Sequence, residues 1–288
     1  MSLKNVYVTK TLEEVLNLLN QYGSESKLIA GGTDVIIQLR EKEISPKVLV
    51  DISNLSEINF IDESEDKITI GACTTFTTIA ESSILKDKLK GLVQSTESVG
   101  SPQIRNAATI GGNICNASMA ADIVPPLLAL DAEVLIESKA DKRKILLDDF
   151  LIGKGKVDIK PGELVTAITF NKLKNREALG FGKLGLRKAL AIARISTAIY
   201  LSLDEENTCR KIRIANGAVG SRGMREKEVE KIFVGKQLTE DVINIGIEKL
   251  REELNQRLAG RSSAEFKTTA IAGIFKKALL ETANNCKE

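Results

Sequence analysis

The sequence predicts an α+β fold in two parts, and three observations carry that reading. Beyond about residue 175 a run of strands is followed by a run of helices, which is a layered arrangement rather than an alternating βαβ array. Before that point, short β-branched runs are separated by capped amphipathic helices. At 288 residues the chain exceeds one average domain, so each part can bury a core. The boundary is placed near Asn175. Residues 1–175 form a first domain, with subdomains of about 1–57 and 58–175, and residues 176–288 form a second.

Taken in order, 6–8 reads as a short strand. Thr11-Leu12-Glu13-Glu14 is a capping box, with Thr at the N-cap and Glu three residues on, opening a helix to about Tyr22 that Gly23 ends. A strand over 27–30 delivers Gly31-Gly32, and a short helix over 35–39 follows. The β-branched run 48–52 is a buried strand, 67–72 begins a second unit, and helices are expected near 76–80 and 89–99. A long loop rich in glycine and asparagine comes next, and Pro125-Pro126 marks a helix start. Residues 132–136 and 143–147 alternate as paired strands about an Ala140-Asp141 turn, and 164–170 is another strand. In the second part 181–186, 195–203 and 211–219 read as three strands, with helices near 239–258 and 263–282.

Composition excludes much chemistry. There is no histidine, so Ser-His, Cys-His and His-metal sites are absent, and tryptophan is missing too. The four cysteines, Cys73, Cys115, Cys209 and Cys286, form no CxxC pair, which speaks against a zinc site or a thiolate-bound cluster. We therefore assign no metal ligand and no catalytic side chain; redox or group-transfer chemistry would have to be carried by a bound cofactor. A net charge of +2, from 41 basic and 39 acidic residues, gives no reason to expect nucleic acid as a partner. No apolar run is long enough to span a membrane, and residues 1–10 lack the apolar core of a leader, which leads us to expect a cytoplasmic protein.

Two stretches stand apart. Ser101 to Asp122 crowds small residues, hydroxyls and amides around Gly111-Gly112, with Thr109, Asn113, Asn116 and Ser118 as hydrogen-bonding groups. Leu28-Ile29-Ala30-Gly31-Gly32-Thr33-Asp34-Val35 resembles it. Each double glycine alone reads equally as a β-turn. Two such loops with polar donors on their carboxyl side suggest one dinucleotide held between them. Neither fits a GxGxxG or Walker loop, and Gly153-Lys154-Gly155-Lys156 reads as an exposed turn.

The combination Ala-Gly-Gly-Thr-Asp-Val, Gly-Ser-Pro-Gln-Ile-Arg-Asn and Thr-Ile-Gly-Gly-Asn-Ile-Cys-Asn closely resembles the FAD-binding medium subunit of molybdenum hydroxylases, over nearly the whole chain. The family includes the medium subunits of bacterial xanthine dehydrogenase, nicotinate dehydrogenase and carbon monoxide dehydrogenase, with the xanthine dehydrogenase type the nearest in motif. The resemblance implies a two-subdomain FAD-binding fold of the PCMH or vanillyl-alcohol-oxidase type. A carboxyl-terminal three-stranded sheet with helices, like that of the CO dehydrogenase flavoprotein, follows it.

The resemblance also implies site residues. Leu28, Ile29, Ala30, Gly31, Gly32, Thr33, Asp34 and Val35 would wrap the pyrophosphate, and Ala108, Thr109, Ile110, Gly111, Gly112 and Asn113 would close on it from the other side. Asp122 would contact the polar chain of FAD, or else cap the helix before Pro125. Leu164 and Lys183 would line the cofactor, with Lys183 near the flavin edge or simply solvated. Cys115 either lies against the flavin ring or is an ordinary buried cysteine, and covalent flavin is not assigned to it. Arg105 is expected to hold its own loop through carbonyl contacts. The implied partners are a molybdopterin-binding large subunit and a [2Fe-2S] small subunit in a heterotrimer, with NAD⁺ as the electron acceptor. The alternative is a stand-alone FAD-dependent oxidase or dehydrogenase; a protein that kept the fold and lost the flavin is a third reading.

Overall fold

A computed structural model describes residues 3–86, 89–187 and 190–287. Met1 and Ser2, part of the stretch read for a leader, lie outside the described residues.

The first unit is small and parallel. β1 (Asn5–Val8), α1 (Leu12–Tyr22), β2 (Ser26–Ile29), α2 (Val35–Arg40) and β3 (Val48–Asp51) give a three-stranded sheet in the order β1-β3-β2. The capping box forms as expected: the Thr11 side chain accepts from the Glu14 amide, and Glu14 accepts in return from the Thr11 amide. Val15 and Leu19 of α1 pack on the fully covered β3, whose central position the β-branched run dictates.

The second unit is antiparallel. It comprises β4 (Ile61–Glu63), β5 (Lys67–Gly71), α3 (Phe76–Glu81), α4 (Ser83–Lys86), α5 (Lys90–Glu97), α6 (Pro102–Ala107), α7 (Ile110–Asn116) and α8 (Val124–Ala129). It continues with β6 (Glu133–Glu137), β7 (Lys142–Leu146), α9 (Leu147–Phe150), β8 (Leu151–Gly153), β9 (Lys156–Val157) and β10 (Leu164–Asn171). Its five-stranded sheet runs β4-β5-β10-β6-β7, with β10 at the centre and buried along nearly its whole length.

Ser101–Asp122 is not the long loop expected. It holds α6 and α7, each started by a hydroxyl cap. Ser101 accepts from the Ile104 amide with Pro102 in the first turn, and Thr109 accepts from the Gly112 amide. Low helix propensity at Gly111 and Gly112 concealed a helix that tertiary packing enforces.

The carboxyl-terminal part has β11 (Glu177–Gly185), β12 (Ala193–Leu203), β13 (Cys209–Gly217), β14 (Met224–Arg225), α10 (Lys227–Phe233), α11 (Glu240–Arg257) and α12 (Ala264–Asn285). Three long strands form the sheet as expected, and the two-residue β14 adds a fourth at its edge. One face of the sheet, with Ile195, Ile199 and Leu201, packs on α11 and α12; the other, with Leu179, Phe181 and Ala198, joins the core of the first domain. The units are thus bound through shared apolar surface. Among the described residues no helix is long and apolar enough to cross a membrane, and no cluster of three or more acidic or cysteine side chains is arranged to hold a metal.

Candidate functional site

A cavity of about 830 Å³ lies between the parallel sheet and the antiparallel unit, and both double-glycine segments face it. The first runs from the end of β2 into α2. Gly31 there is dictated by packing: a Cβ would lie 1.7 Å from the Ala107 carbonyl oxygen, so only glycine lets this loop rest on the end of α6. Gly32 takes φ +69, the left-handed region that favours glycine. Asp34 precedes α2 without a side-chain cap. Among the described residues the amides of Gly31, Gly32, Thr33 and Asp34 donate to no protein acceptor, leaving a row of free donors on the cavity side.

The second segment is built differently. The Ile110 amide donates to Thr74, Gly111 to Ala72, Gly112 to Thr109 Oγ1 and Asn113 to the Thr109 carbonyl. A Cβ on Gly111 would meet the Ala72 Cβ at 2.6 Å, so this glycine serves helix-to-strand packing. The wall contributes side chains instead of amides. Asn113 Oδ1 is buried without a partner, and a buried polar atom in that state needs one.

Across the rim, Asn116 Nδ2 donates to Asp34 Oδ1 at 3.0 Å, and Gln38 Nε2 reaches Asn116 Oδ1 at 3.5 Å, tying the two subdomains together. Leu28, Ala30, Val35, Ala108, Cys115 and Leu164 line the cavity, with Ile52 and Val165 supplying apolar wall. Cys115 is half-buried on the cavity wall, and desolvation there raises its thiol to about 12, which keeps it protonated and unreactive.

Four expected residues lie elsewhere. Ile110 is fully buried in the core, and Ile29 is half-buried beside Gly32 without lining the cavity. Asp122 and Lys183 pair with each other at the junction of the two domains: Lys183 Nζ donates to Asp122 Oδ2 at 2.6 Å and to the Ser98 carbonyl at 2.9 Å. Their side chains are 7% and 13% exposed, so Lys183 is not a solvated lysine, and α8 has Ile123 rather than Asp122 at its N-cap, with no side-chain cap. Burial pushes Asp122 up to about 6, the lysine beside it opposing that rise, and its second oxygen, Oδ1, has no partner. Arg105 donates to the carbonyls of Val99 and Gly100, the loop-holding role expected of it.

Sequence reasoning missed the opposite rim. Gly155 and Lys156 line the cavity, so the exposed turn between β8 and β9 is also part of its wall, tied in by the Gly155 amide donating to Ala117. Lys27 and Lys160 join Lys156 there, and among the described residues none of the three has a carboxylate partner. Glu163, also on the wall, is clamped by Arg143, which holds its carboxyl below the usual range. The glycine–lysine alternation at 153–156 was the available signal.

Residues 2–171 match the FAD binding domain in molybdopterin dehydrogenase, and residues 183–282 match the CO dehydrogenase flavoprotein C-terminal domain. This chain belongs to the FAD-binding medium subunits of the molybdenum hydroxylases. The FAD subunit is 33% identical over 279 residues to the nicotinate dehydrogenase FAD-subunit of Eubacterium barkeri, covering 96% of this chain and 94% of that one. It is 34% identical over 274 residues to the xanthine dehydrogenase FAD-binding subunit of Escherichia coli O157:H7, covering 94% and 93%. A chain of the carbon monoxide dehydrogenase from Hydrogenophaga pseudoflava superposes with a TM-score of 0.92 at 25% identity, over 99% of this chain and 98% of that one. Quinoline 2-oxidoreductase from Pseudomonas putida shares the fold, with a TM-score of 0.91 at 24% identity over 100% of this chain and 99% of that one.

The cofactor of this subunit is FAD. The cavity fits it on three counts. Its volume lies within the range of cofactor pockets. Free amides and unpaired lysines suit a diphosphate, and the buried Asn113 Oδ1 lacks a donor that a polar ligand can supply.

Proposed function

We propose that this FAD subunit is the terminal electron station of a xanthine dehydrogenase-like complex, taking electrons from a [2Fe-2S] small subunit and delivering them to NAD⁺. Hydroxylation would occur on a molybdopterin-binding large subunit. The observation that carries the reading is the row of free amides at Gly31 to Asp34 facing Asn113 across one cavity. The carboxylates on its wall, Asp34 and Glu163, are held by Asn116 and Arg143, so in this reading the chain's residues bind and orient.

FAD, when bound, supplies two-electron redox chemistry and can exchange electrons singly with iron–sulfur clusters. In our reading the amides of Gly31, Gly32, Thr33 and Asp34 hold its diphosphate, with Lys27, Lys156 and Lys160 providing the positive field. Thr109, Gly111 and Gly112 shape the opposite wall, and Asn113 Oδ1 accepts from a ligand donor. Leu28, Leu164 and Val165 exclude water. Asp122 and Lys183 stand at the domain junction outside the cavity lining, where Lys183 donates to Asp122 and to the Ser98 carbonyl and so braces the two domains around the cofactor.

Anaerobic mixing of the FAD-loaded protein with NADH tests the acceptor by running its step in reverse. Bleaching of the flavin absorbance within seconds is expected. A flavin that dithionite reduces and NADH does not would remove NAD⁺ from the account. The stand-alone oxidase reading gains nothing from the structure, since the two carboxylates on the cavity wall are already engaged, Glu163 by Arg143 and Asp34 by Asn116.

A further inference from the structure

Three isoleucines beside the cofactor cavity are turned to solvent. Ile36 and Ile37, in the first turn of α2, are 52% and 46% exposed, and Ile104 on α6 is 40% exposed. None of them lines the cavity. The contact of Gly31 with Ala107 brings their two helices together. A Cβ on the next residue, Gly32, would meet Ile36 Cγ1 at 3.1 Å, so Ile36 stands against the loop that rests on the end of α6. Ile104 lies one turn before Ala107, about 5 Å back along the helix axis, its carbonyl accepting from the Ala108 amide at 2.7 Å. Both side chains thus sit about one turn from the place where Gly31 meets Ala107.

The surrounding surface is poor in charge. Residues 28–39 and 98–121 carry two charged side chains, Asp34 and Arg105, in a chain that is 28% charged. Both are engaged within the fold, Asp34 accepting from Asn116 and Arg105 donating to the carbonyls of Val99 and Gly100. Pro102, Gln103 and Asn106 beside Ile104 are exposed and neutral, and charge returns only past the end of α2, at Arg40, Glu41, Lys42 and Glu43. An apolar centre depleted of charge inside a polar margin is the composition of an interface core and its rim. The backbone beneath is held in place by the Ser101 cap and by Arg105, so little ordering would oppose docking.

We propose that Ile36, Ile37 and Ile104 form the centre of the face on which the electron-donating iron–sulfur subunit docks. A face without free charge complements a partner face that is itself uncharged, and it offers nothing to a nucleic acid or an anionic lipid surface. An electron donor must also come close to the cofactor, because transfer between fixed centres fades steeply with distance. This face lies against the loop that walls the cofactor cavity, so a subunit seated on it stands next to FAD. The choice of occupant rests on the electron-transfer reading above.

The test is to tag the full chain in its own host, purify it with whatever it binds, and measure FAD, iron and acid-labile sulfide per chain. Wild type is expected to carry iron and sulfide, with the electron paramagnetic resonance of a reduced [2Fe-2S] cluster. Ile37→Glu and Ile104→Glu should each lower the iron and sulfide at least tenfold, because a charge is then buried in the contact, and leave FAD unchanged. Ile245→Glu, at an exposed position of α11 in the carboxyl-terminal part, should change neither. Because Ile37 faces solvent, its variant keeps the test valid even if Ile104→Glu folds poorly. Clusters retained equally by wild type and Ile37→Glu would overturn the docking face and leave the electron-transfer reading standing. Wild-type chain that brings down its partners without any iron–sulfur protein would overturn that reading and the face with it. Loss of FAD together with the clusters in Ile37→Glu would assign the residue to cofactor retention and overturn the docking role.

Discussion

At the residue scale the two double glycines do different work, and substitution should separate them. A Cβ on Gly31 collides with backbone at 1.7 Å, whereas one on Gly112 meets only Thr109 Oγ1 at 2.9 Å, an oxygen that can rotate. Gly31→Ala is therefore expected to cost about 3 kcal/mol or more through forced backbone movement, and to abolish FAD retention. Gly112→Ala should fold normally with weakened FAD binding. Thermal unfolding beside flavin content of the purified proteins measures both.

The buried Asp122–Lys183 pair makes a second residue-scale prediction. The raised pKa of Asp122 means that the folded chain holds a proton that the unfolded chain has released between pH 3.8 and about 6. The stability tied to that proton is fully present below pH 3.8 and is lost as pH rises through about 6. Lys183→Met strands the carboxylate, so the variant should lose about 3 kcal/mol at pH 7. The deficit should shrink as the pH falls toward 5, because Asp122 then takes up a proton. Urea unfolding at both pH values checks this; a deficit independent of pH would contradict it.

At the scale of elements, α7 depends on its cap. Thr109→Val removes the acceptor for the Gly112 amide and should cost about 1 kcal/mol, read as a lower urea midpoint with an unchanged slope. Domain docking has an electrostatic part as well. Asp131 pairs with both Arg213 and Arg225 across the junction, the former at 2.6 Å. Asp131→Asn should lower the melting temperature more at low salt than at high salt.

These elements also show what the sequence could and could not reveal. The capping box at Thr11, the β-branched run at Val48 and the strand–strand–strand–helix–helix order at the carboxyl end are local signals, and each became the expected element. The helices at Pro102 and Ile110 were hidden because glycine and asparagine weigh against helix locally, and only the contacts of Gly31 with Ala107 and of Gly111 with Ala72 explain them. The lysine-bearing rim at Lys156 and Lys160 is brought to the cavity by tertiary folding, so the glycine–lysine alternation at 153–156 marked a turn without marking what that turn faces. Lys183 and Asp122 are separated by 61 positions, and their mutual pairing is visible only in three dimensions.

At the scale of the whole molecule, the account is that one cavity between two subdomains holds FAD, with the carboxyl-terminal sheet closing the assembly. The extensive apolar core shared by that sheet and the first domain predicts that they unfold together. Calorimetry of the FAD-loaded protein should give a single transition whose midpoint falls when flavin is removed.

The most direct test of the cavity is to purify the full chain beside its Gly31→Ala variant, release any chromophore with acid and identify it. We expect FAD from the wild type, and a variant that is folded by circular dichroism yet colourless and not reconstituted by added FAD. Wild-type protein that is folded and stays empty when FAD is supplied, or a Gly31→Ala protein that retains FAD as well as the wild type, would contradict the placement of the cofactor between the two glycine segments.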